Sequence, residues 1–384
     1  MIEIYFDNSA TTKVCEESIE AACYGMEIAY GNPSSLHGKG VEAARLLSDC
    51  RDYMAKCLRC LPQEIYFTSG GSESNNTAIM GIAKAHQKKG KKILISAIEH
   101  PSVLEPALAL RQNGFQVELL PVDSSGYLDL SALEALLDQE TILVSVQQVN
   151  NEVGSIQPLS EIGDLLQQKA PQAFFHVDGV QGFGKLPVEF GSWHADLYTA
   201  SSHKIHGPKG VGLLWVNKDC RLLPLIQGGG QERNLRSGTE NVPGIMAFTA
   251  ACKKSYDHMD ENRQRMASVR EVLAEKLAAE IVDCHFNSDL NKGAAHILNI
   301  SFPGAKSEVL LHYLEGKGIY VSSGSACHSN KKSGISHVLQ AMALKPAWAD
   351  SAIRFSFSAE NTVEEAEIAG KITGESVEEI RSFL

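Results

Sequence analysis

The sequence predicts an α/β protein in which a mostly parallel sheet carries helices on both faces and a smaller α+β unit follows. Two observations lead there. From about residue 62 to 216, short apolar segments alternate with stretches of helical period, the pattern of repeated βα units. After Pro243 that alternation stops, and a long helical stretch precedes a different mixture of strands and helices.

Residues 41–61 read as a long helix ahead of the sheet. Seven strands are expected at 64–68, 92–97, 116–121, 142–147, 173–177, 196–200 and 212–216. Helices are expected between them, at 75–86, 103–112, 130–137 and 162–169. Such alternation buries a sheet on both faces. Residues 245–277 read as one connecting helix, apolar and small at first, then charged through Asp260-Glu261-Asn262-Arg263-Gln264-Arg265. The smaller unit follows, with strands at 297–302, 320–322 and 353–357, a helix at 308–315 and a closing amphipathic helix at 362–383. We expect a large domain over 13–257 and a small one over 258–384, with residues 1–12 packed against the small one and a loop at 322–335 carried by it. No internal repeat or low-complexity segment interrupts this plan.

Composition narrows the function. The chain has 384 residues, 43% hydrophobic and 21% charged, enough for a large core and two domains. Its formal charge is 35 − 46 = −11, a poor match for nucleic acid or an anionic membrane. The amino terminus lacks a basic region with an apolar stretch, and no apolar run is long enough to span a bilayer. Nine scattered cysteines, an odd number, argue against a disulfide framework and for a reducing, cytoplasmic setting. Cys57-Leu58-Arg59-Cys60 has Cys-x-x-Cys spacing but no second such pair. Helix-end packing is the expectation there, ahead of a redox or zinc role.

The chemistry gathers at strand ends. Lys204 closes the run Asp196-Leu197-Tyr198-Thr199-Ala200-Ser201-Ser202-His203-Lys204 and is followed by a Gly/Pro loop. An amine at the carboxyl end of a strand, among small neighbours, suits Schiff-base chemistry in an α/β enzyme. Asp178 ends the apolar strand Phe174-Phe175-His176-Val177, with Gln181 just beyond. It either caps the next turn or pairs with a pyridinium nitrogen, which a carboxylate keeps protonated; Gln181 could then bond the phenolic oxygen of the same ring. Thr68-Ser69-Gly70-Gly71-Ser72-Glu73 is a strand, glycine turn and helix start. It is either an anion cradle, with Ser72 adding a hydroxyl and Ser201 and His203 completing the cup, or a simple capped helix.

Five more positions stand out, three of them with two readings each. His100 is a loop histidine, or an imidazole stacked on a cofactor ring and carrying protons. Asn150 and Asn151 end another strand on the ligand-binding edge. Arg354 shares a face with Ser356 and Ser358, as an exposed-face arginine or a bidentate clamp on a carboxylate. Cys327 lies in a small, polar, Gly-containing loop beside His328, Lys331 and Lys332. It is a surface cysteine, or a reactive thiol whose basic neighbours favour the thiolate.

Taken together, these motifs resemble the cysteine desulfurases of the class V aminotransferase family, enzymes of fold-type I. The match runs from Tyr5-Phe6-Asp7-Asn8-Ser9-Ala10-Thr11-Thr12 to the final helix. It includes Gly31-Asn32-Pro33-Ser34-Ser35, Val149-Asn150-Asn151-Glu152-Val153-Gly154, Gly228-Gly229-Gly230-Gln231-Glu232-Arg233 and Arg236-Ser237-Gly238-Thr239-Glu240-Asn241-Val242-Pro243. Ser322-Ser323-Gly324-Ser325-Ala326-Cys327 resembles the long-loop group, which includes nitrogenase-associated and housekeeping iron–sulfur enzymes.

The resemblance implies that Lys204 holds pyridoxal 5′-phosphate (PLP) as an imine. Asp178 would pair with the ring nitrogen, Gln181 with the phenolic oxygen, and His100 would stack on the ring. Gly71, Ser72, Ser201 and His203 would bind phosphate, with Thr239 reaching in from the partner of a homodimer. Asn32, Asn150 and Arg354 would hold the carboxylate of the substrate, L-cysteine. Lys204 would move the α-proton, and Cys327 would take the sulfur as a persulfide while alanine leaves. A sulfur-acceptor protein, an iron–sulfur scaffold or a thiolation enzyme, would follow.

The sequence departs from the family pattern at Gly71-Ser72, at the middle of Asp178-Gly179-Val180-Gln181, and at His328 and Lys331-Lys332. Two rival readings are another enzyme of the fold (an aminotransferase or a selenocysteine lyase) and a sulfur-carrier or scaffold protein without catalysis. Cys327 speaks against the aminotransferase, and the intact set Lys204, Asp178, Gln181 and His100 speaks against the scaffold.

Overall fold

A computed structural model describes residues 3–323 and 336–383. Its main sheet has seven strands, in the order Ile65–Thr68, Gly212–Val216, Leu197–Ser201, Phe174–Asp178, Thr141–Gln147, Lys92–Ser96 and Gln116–Leu120. All neighbours are parallel except Gly212–Val216, which runs antiparallel to both of its partners. Each strand lies within one residue of its expected start and end, because fully buried apolar runs leave little doubt about where they stop.

Alternate side chains enter two separate cores. Leu213, Trp215, Tyr198, Phe175 and Val177 face one, with Met54, Leu58 and Phe248 from the covering helices. Leu214, Val216, Leu197 and Leu143 face the other, with Ile79, Ile82 and Val103. That period of two, with both faces apolar, requires helices on both sides.

The smaller unit is a four-stranded antiparallel sheet, in the order Ser322–Ser323, Ala352–Ser356, Ile297–Ser301 and His285–Phe286. Helices Met259–Glu280 and Val363–Ser382 pack over it through Leu273, Leu277, Ala369 and Val377. Ile4–Tyr5 pairs in parallel with Ile319–Tyr320, and Ile4 and Phe6 enter this same core.

Two expectations are corrected, and one helix is added. The single helix over 245–277 is two, Val242–Asp257 and Met259–Glu280, broken at His258 with φ −124° and ψ 20°. The first packs on helices Glu16–Glu27 and Gly38–Leu58, the second on Val363–Ser382, so the chain must turn between two cores. Asp260 and Glu261 then open the second helix, where negative charge suits the helix dipole. The strand over 320–322 is split at Val321, with Ile319–Tyr320 serving the amino terminus and Ser322–Ser323 the small sheet. Helix Glu16–Glu27 was not anticipated, and its apolar signal is weak because only Ser18 and Gly25 are fully buried.

Candidate active site

The carboxyl ends of the parallel strands open into a cavity of about 330 Å³. Asp178 is at its floor, 6% exposed. Its Oδ2 accepts from Asn75 Nδ2 at 2.7 Å and its Oδ1 from the Val180 amide at 3.0 Å. Burial raises the Asp178 pKa against these bonds and the nearby charge of Lys204. The carboxylate is therefore short of positive charge, and a protonated ring nitrogen would supply it.

Asn75 was not singled out in the sequence. It sits one turn into helix Gly71–His86, on the same stripe as Ala78, Ile79 and Ile82. A buried asparagine on an otherwise apolar face was the available signal. Its Nδ2 also bonds Ser102 Oγ at 2.9 Å, and Ser102 Oγ lies 2.8 Å from His100 Nδ1. A polar chain thus joins His100 to Asp178. His100 caps helix Pro101–Ala109, its Nδ1 accepting the Ser102 amide at 3.1 Å.

The glycine turn at Gly70 and Gly71 opens onto the same cavity. Gly70 has φ +152°, which favours glycine. A Cβ on Gly71 would lie 2.8 Å from Val180 Cγ2, so a larger residue there would have to displace the Val180 side chain. Ser72, Ser201 and His203 line the same space. Ser201 Oγ is buried without a partner. His203 Nδ1 is 3.2 Å from Thr11 Oγ1, and burial, helped by Lys204, pushes its pKa down to about 4. It is therefore a neutral imidazole near pH 7.

Lys204 follows strand Leu197–Ser201 on a single 3₁₀ turn. Its Nζ donates to the carbonyls of Ser9 at 2.5 Å and Ala10 at 2.7 Å. Gln181 Nε2 donates to the same Ser9 carbonyl at 3.0 Å, and Gln181 Oε1 is buried without a partner.

Arg354 is no exposed-face residue, being 3% exposed on strand Ala352–Ser356. Nη1 donates to the Asn151 carbonyl at 3.0 Å and Nη2 to Asp7 Oδ1 at 2.8 Å, while Nε has no partner. Asn150 does not line the cavity. Its Nδ2 donates to the Ile98 carbonyl at 3.0 Å, and its Oδ1 accepts the Glu152 and Val153 amides, each at 2.8 Å. With both ends of its amide spent on the turn, it is Asn151 that faces the cavity. Asn32 is exposed and holds a local turn through the Ser34 amide at 2.9 Å, off the cavity lining. Thr239 is also exposed and off the lining of the single chain.

Cys327, with His328, Lys331 and Lys332, lies outside the described residues. The chain on either side of them is placed: Ser322 pairs with Arg354, and Ser336 Oγ donates to Glu152 at 2.5 Å. In the Cys-x-x-Cys segment, burial pushes Cys60 up to about 12, while the Cys252 thiol beside Cys57 lowers the latter. Among the described residues, no cluster of three His, Cys, Asp or Glu could hold a metal, and no helix is long and apolar enough to cross a membrane.

Known proteins resemble this chain along nearly its whole length. A family model for aminotransferase class V matches residues 4–368. The putative cysteine desulfurase IscS 1 of Bacillus subtilis is 40% identical over 99% of this chain and 100% of its own. The cysteine desulfurase IscS of Methanosarcina thermophila is 38% identical over 99% of this chain and 93% of its own. Among solved structures, a NifS-like protein superposes with a TM-score of 0.92 at 39% identity, covering 100% of both chains. SspA in complex with cysteine superposes at 0.81 and 32% identity, covering 92% of this chain and 98% of its own. The chain therefore belongs to the class V aminotransferase family and, within it, to the cysteine desulfurases.

Proposed function

We propose that this chain uses PLP to convert L-cysteine to L-alanine, moving the sulfur to Cys327 as a persulfide and then to a sulfur-acceptor protein. The observation that carries the reading is the single cavity joining Lys204, Asp178 and the Gly71–Ser72 turn. Five orphaned polar atoms, Ser9 Oγ, Asn75 Oδ1, Gln181 Oε1, Ser201 Oγ and Arg354 Nε, belong to residues lining it. Together with a turn that a Cβ would crowd, they fit a phosphorylated pyridine and an amino-acid carboxylate.

When bound, PLP supplies the electron sink for bonds at the α-carbon. The residues do the rest. Gly71, Ser72, Ser201 and His203 would hold the phosphate, and Asp178 would keep the proton on the ring nitrogen. Gln181 would take the ring oxygen, and His100 would pass protons through Ser102. Arg354 and Asn151 hold the substrate carboxylate. The Lys204 amine, kept in place by two carbonyls, moves the α-proton. The Cys327 thiolate attacks the substrate sulfur; the C–S bond breaks as the S–S bond forms, and protons return to the carbon fragment, which leaves as alanine.

A homodimer is part of this reading, since Thr239 reaches no site within one chain. Residues 19–41 leave Ile19, Met26, Tyr30, Leu36 and Val41 exposed by half or more, an apolar surface suited to a second copy. A cytoplasmic setting rests on the free thiols of every described cysteine.

The test is mass spectrometry of the purified protein after L-cysteine is added, with alanine assayed in parallel and no keto acid present. Persulfide on Cys327 with alanine is the expected result. Alanine without persulfide would replace the reading with a lyase that releases sulfur directly, and neither product would mean another substrate.

A further inference from the structure

The segment 324–335, which carries Cys327, is flanked by Ser323 and Ser336, and both flanks are tied to the surroundings of Arg354. On one side, Ser322 lies opposite Arg354 in the small sheet. On the other, Ser336 Oγ donates to Glu152 Oε2 at 2.5 Å. Glu152 follows Asn151, whose carbonyl takes Arg354 Nη1 at 3.0 Å.

The second flank is built in detail. Ser336 is 1% exposed and caps helix His337–Ala341, its Oγ accepting the Val338 and Leu339 amides at 3.1 and 3.3 Å. Those amides use the acceptor side of the hydroxyl, and its one proton goes to Glu152. His337 Nε2 donates to the Glu99 carbonyl at 2.9 Å, one residue before His100. Val338, Leu339 and Met342 close a small core with Ile98 and Val153. The helix is thereby seated on the two strand-end turns that bring His100 and Asn151 to the cavity.

Helix capping does not account for the carboxylate. A serine caps a helix without an acid behind it. Glu152 is 2% exposed, and among the described residues its carboxylate accepts one hydrogen bond, from Ser336. Burial works against its charge, more than that bond and the charge of Arg354 work for it. An acid kept at a cost to stability, between Arg354 and the flank of the Cys327 segment, points to a part in the reaction.

We propose that Ser336 and Glu152 are positioning residues for sulfur transfer, whose bond fixes where the Cys327 segment rejoins the fold relative to Arg354. A thiol that must meet the sulfur of a bound substrate gains from such a fixed root, because misplacement by about 1 Å is enough to slow a reaction. Neither residue touches the reacting atoms. The inference rests on the reading of Cys327 as the sulfur acceptor.

Protein loaded with PLP is mixed with saturating L-cysteine and no added thiol, and the first turnover is followed as persulfide on Cys327 and as alanine. Cysteine binding is read separately from the change in PLP absorbance. The persulfide rate should fall at least about tenfold in Ser336→Ala and in Glu152→Ala, with cysteine affinity within about threefold of wild type. Ser336→Gly nearly keeps the cap but not the hydroxyl, so it should be as slow as Ser336→Ala. Ser336→Thr keeps both and should recover to within about threefold of wild type. Glu152→Gln keeps the shape and a neutral acceptor, so it tests the pair without a cavity and should be slowed about threefold. The double variant Ser336→Ala/Glu152→Ala should be no slower than either single one by more than about twofold, because one bond is lost in all three. Unchanged persulfide rates would overturn the inference, as would rates restored by Ser336→Gly, additive losses in the double variant, or cysteine affinity falling in step with the rate. Wild-type protein that forms alanine but no persulfide would overturn the Cys327 reading and this inference with it, a pattern distinct from all of these.

Discussion

Arg354→Ala should raise the KM for L-cysteine far more than it weakens the hold on PLP. The guanidinium is 3% exposed and fixed by two bonds, at 3.0 Å to Asn151 and 2.8 Å to Asp7. Two of its five N–H groups are used, and Nε is buried without a partner. A substrate carboxylate that takes two of the rest forms a desolvated, forked pair. Truncating one side of such a pair costs about 2–5 kcal/mol, or roughly 30- to 4,000-fold in KM. The loss of the Asp7 bond adds little, because the Asp7 side chain is 21% exposed and water can replace the guanidinium. Arg354 is not part of the Gly71–Ser72 turn, so PLP affinity should change less than about threefold by the same arithmetic. Arg354→Lys keeps the charge but not the fork and should fall between. The assay is steady-state alanine formation, with PLP affinity followed by its visible absorbance. A normal KM with normal PLP affinity would refute the clamp. Loss of both in parallel would make Arg354 a structural brace instead.

Three further outcomes follow from the same site. Cys327→Ser should keep PLP absorbance and lose persulfide formation; wild-type alanine release without added thiol would contradict this. Asn150→Ala strands two buried backbone amides, those of Glu152 and Val153, and should cost about 2–4 kcal/mol in urea unfolding, while Asn151→Ala should shift KM and leave stability within about 1 kcal/mol; the reverse pattern would restore Asn150 to the substrate. Burial holds the Glu152 carboxyl up, from the usual 4.5 to about 7, against its bond from Ser336 and the charge of Arg354. Between those values the folded chain keeps a proton that the unfolded chain has lost. Stability therefore falls as pH rises through that window, by on the order of 3 kcal/mol, with the full penalty above 7. Glu152→Gln should flatten the fall in thermal midpoint between pH 5 and 8, and an unchanged profile would count against it.

What the sequence makes legible here follows from one physical fact: strand ends are marked. An apolar run that stops at a small or charged residue shows both the strand and the side chain it delivers, so Asp178, Lys204, His100 and Ser201 could be read from the chain. Asn75 could not, because within a helix its partner is decided by which way the stripe faces. Asn150 and Asn151 are the same residue type in adjacent positions, and only the turn decides that one closes the backbone and the other faces the cavity. Asn32 matches a motif, yet the single chain leaves it at the surface. The break at His258 is hidden for another reason. Both halves are good helix, and only the presence of two separate cores requires the chain to turn.

The segment at 7–12 explains how two units make one site. Asp7 holds Arg354 at 2.8 Å. The Ser9 carbonyl receives both Gln181 and Lys204, and Thr11 meets His203. Thr12 Oγ1 donates to the His203 carbonyl at 3.0 Å and accepts the His206 amide at 2.7 Å. The same stretch is anchored in the small unit, where Ile4–Tyr5 adds a strand to Ile319–Tyr320 and Phe6 is fully buried edge-on to Phe357 at 5.1 Å between ring centroids. Two residues of strand pairing are a weak hold. Burial of Phe6 contributes about 2–3 kcal/mol more, enough to keep the segment docked. The arginine of one unit and the lysine of the other are thus positioned by one run of backbone, so the spacing between guanidinium and amine is set by local chain geometry as well as by how the two units pack.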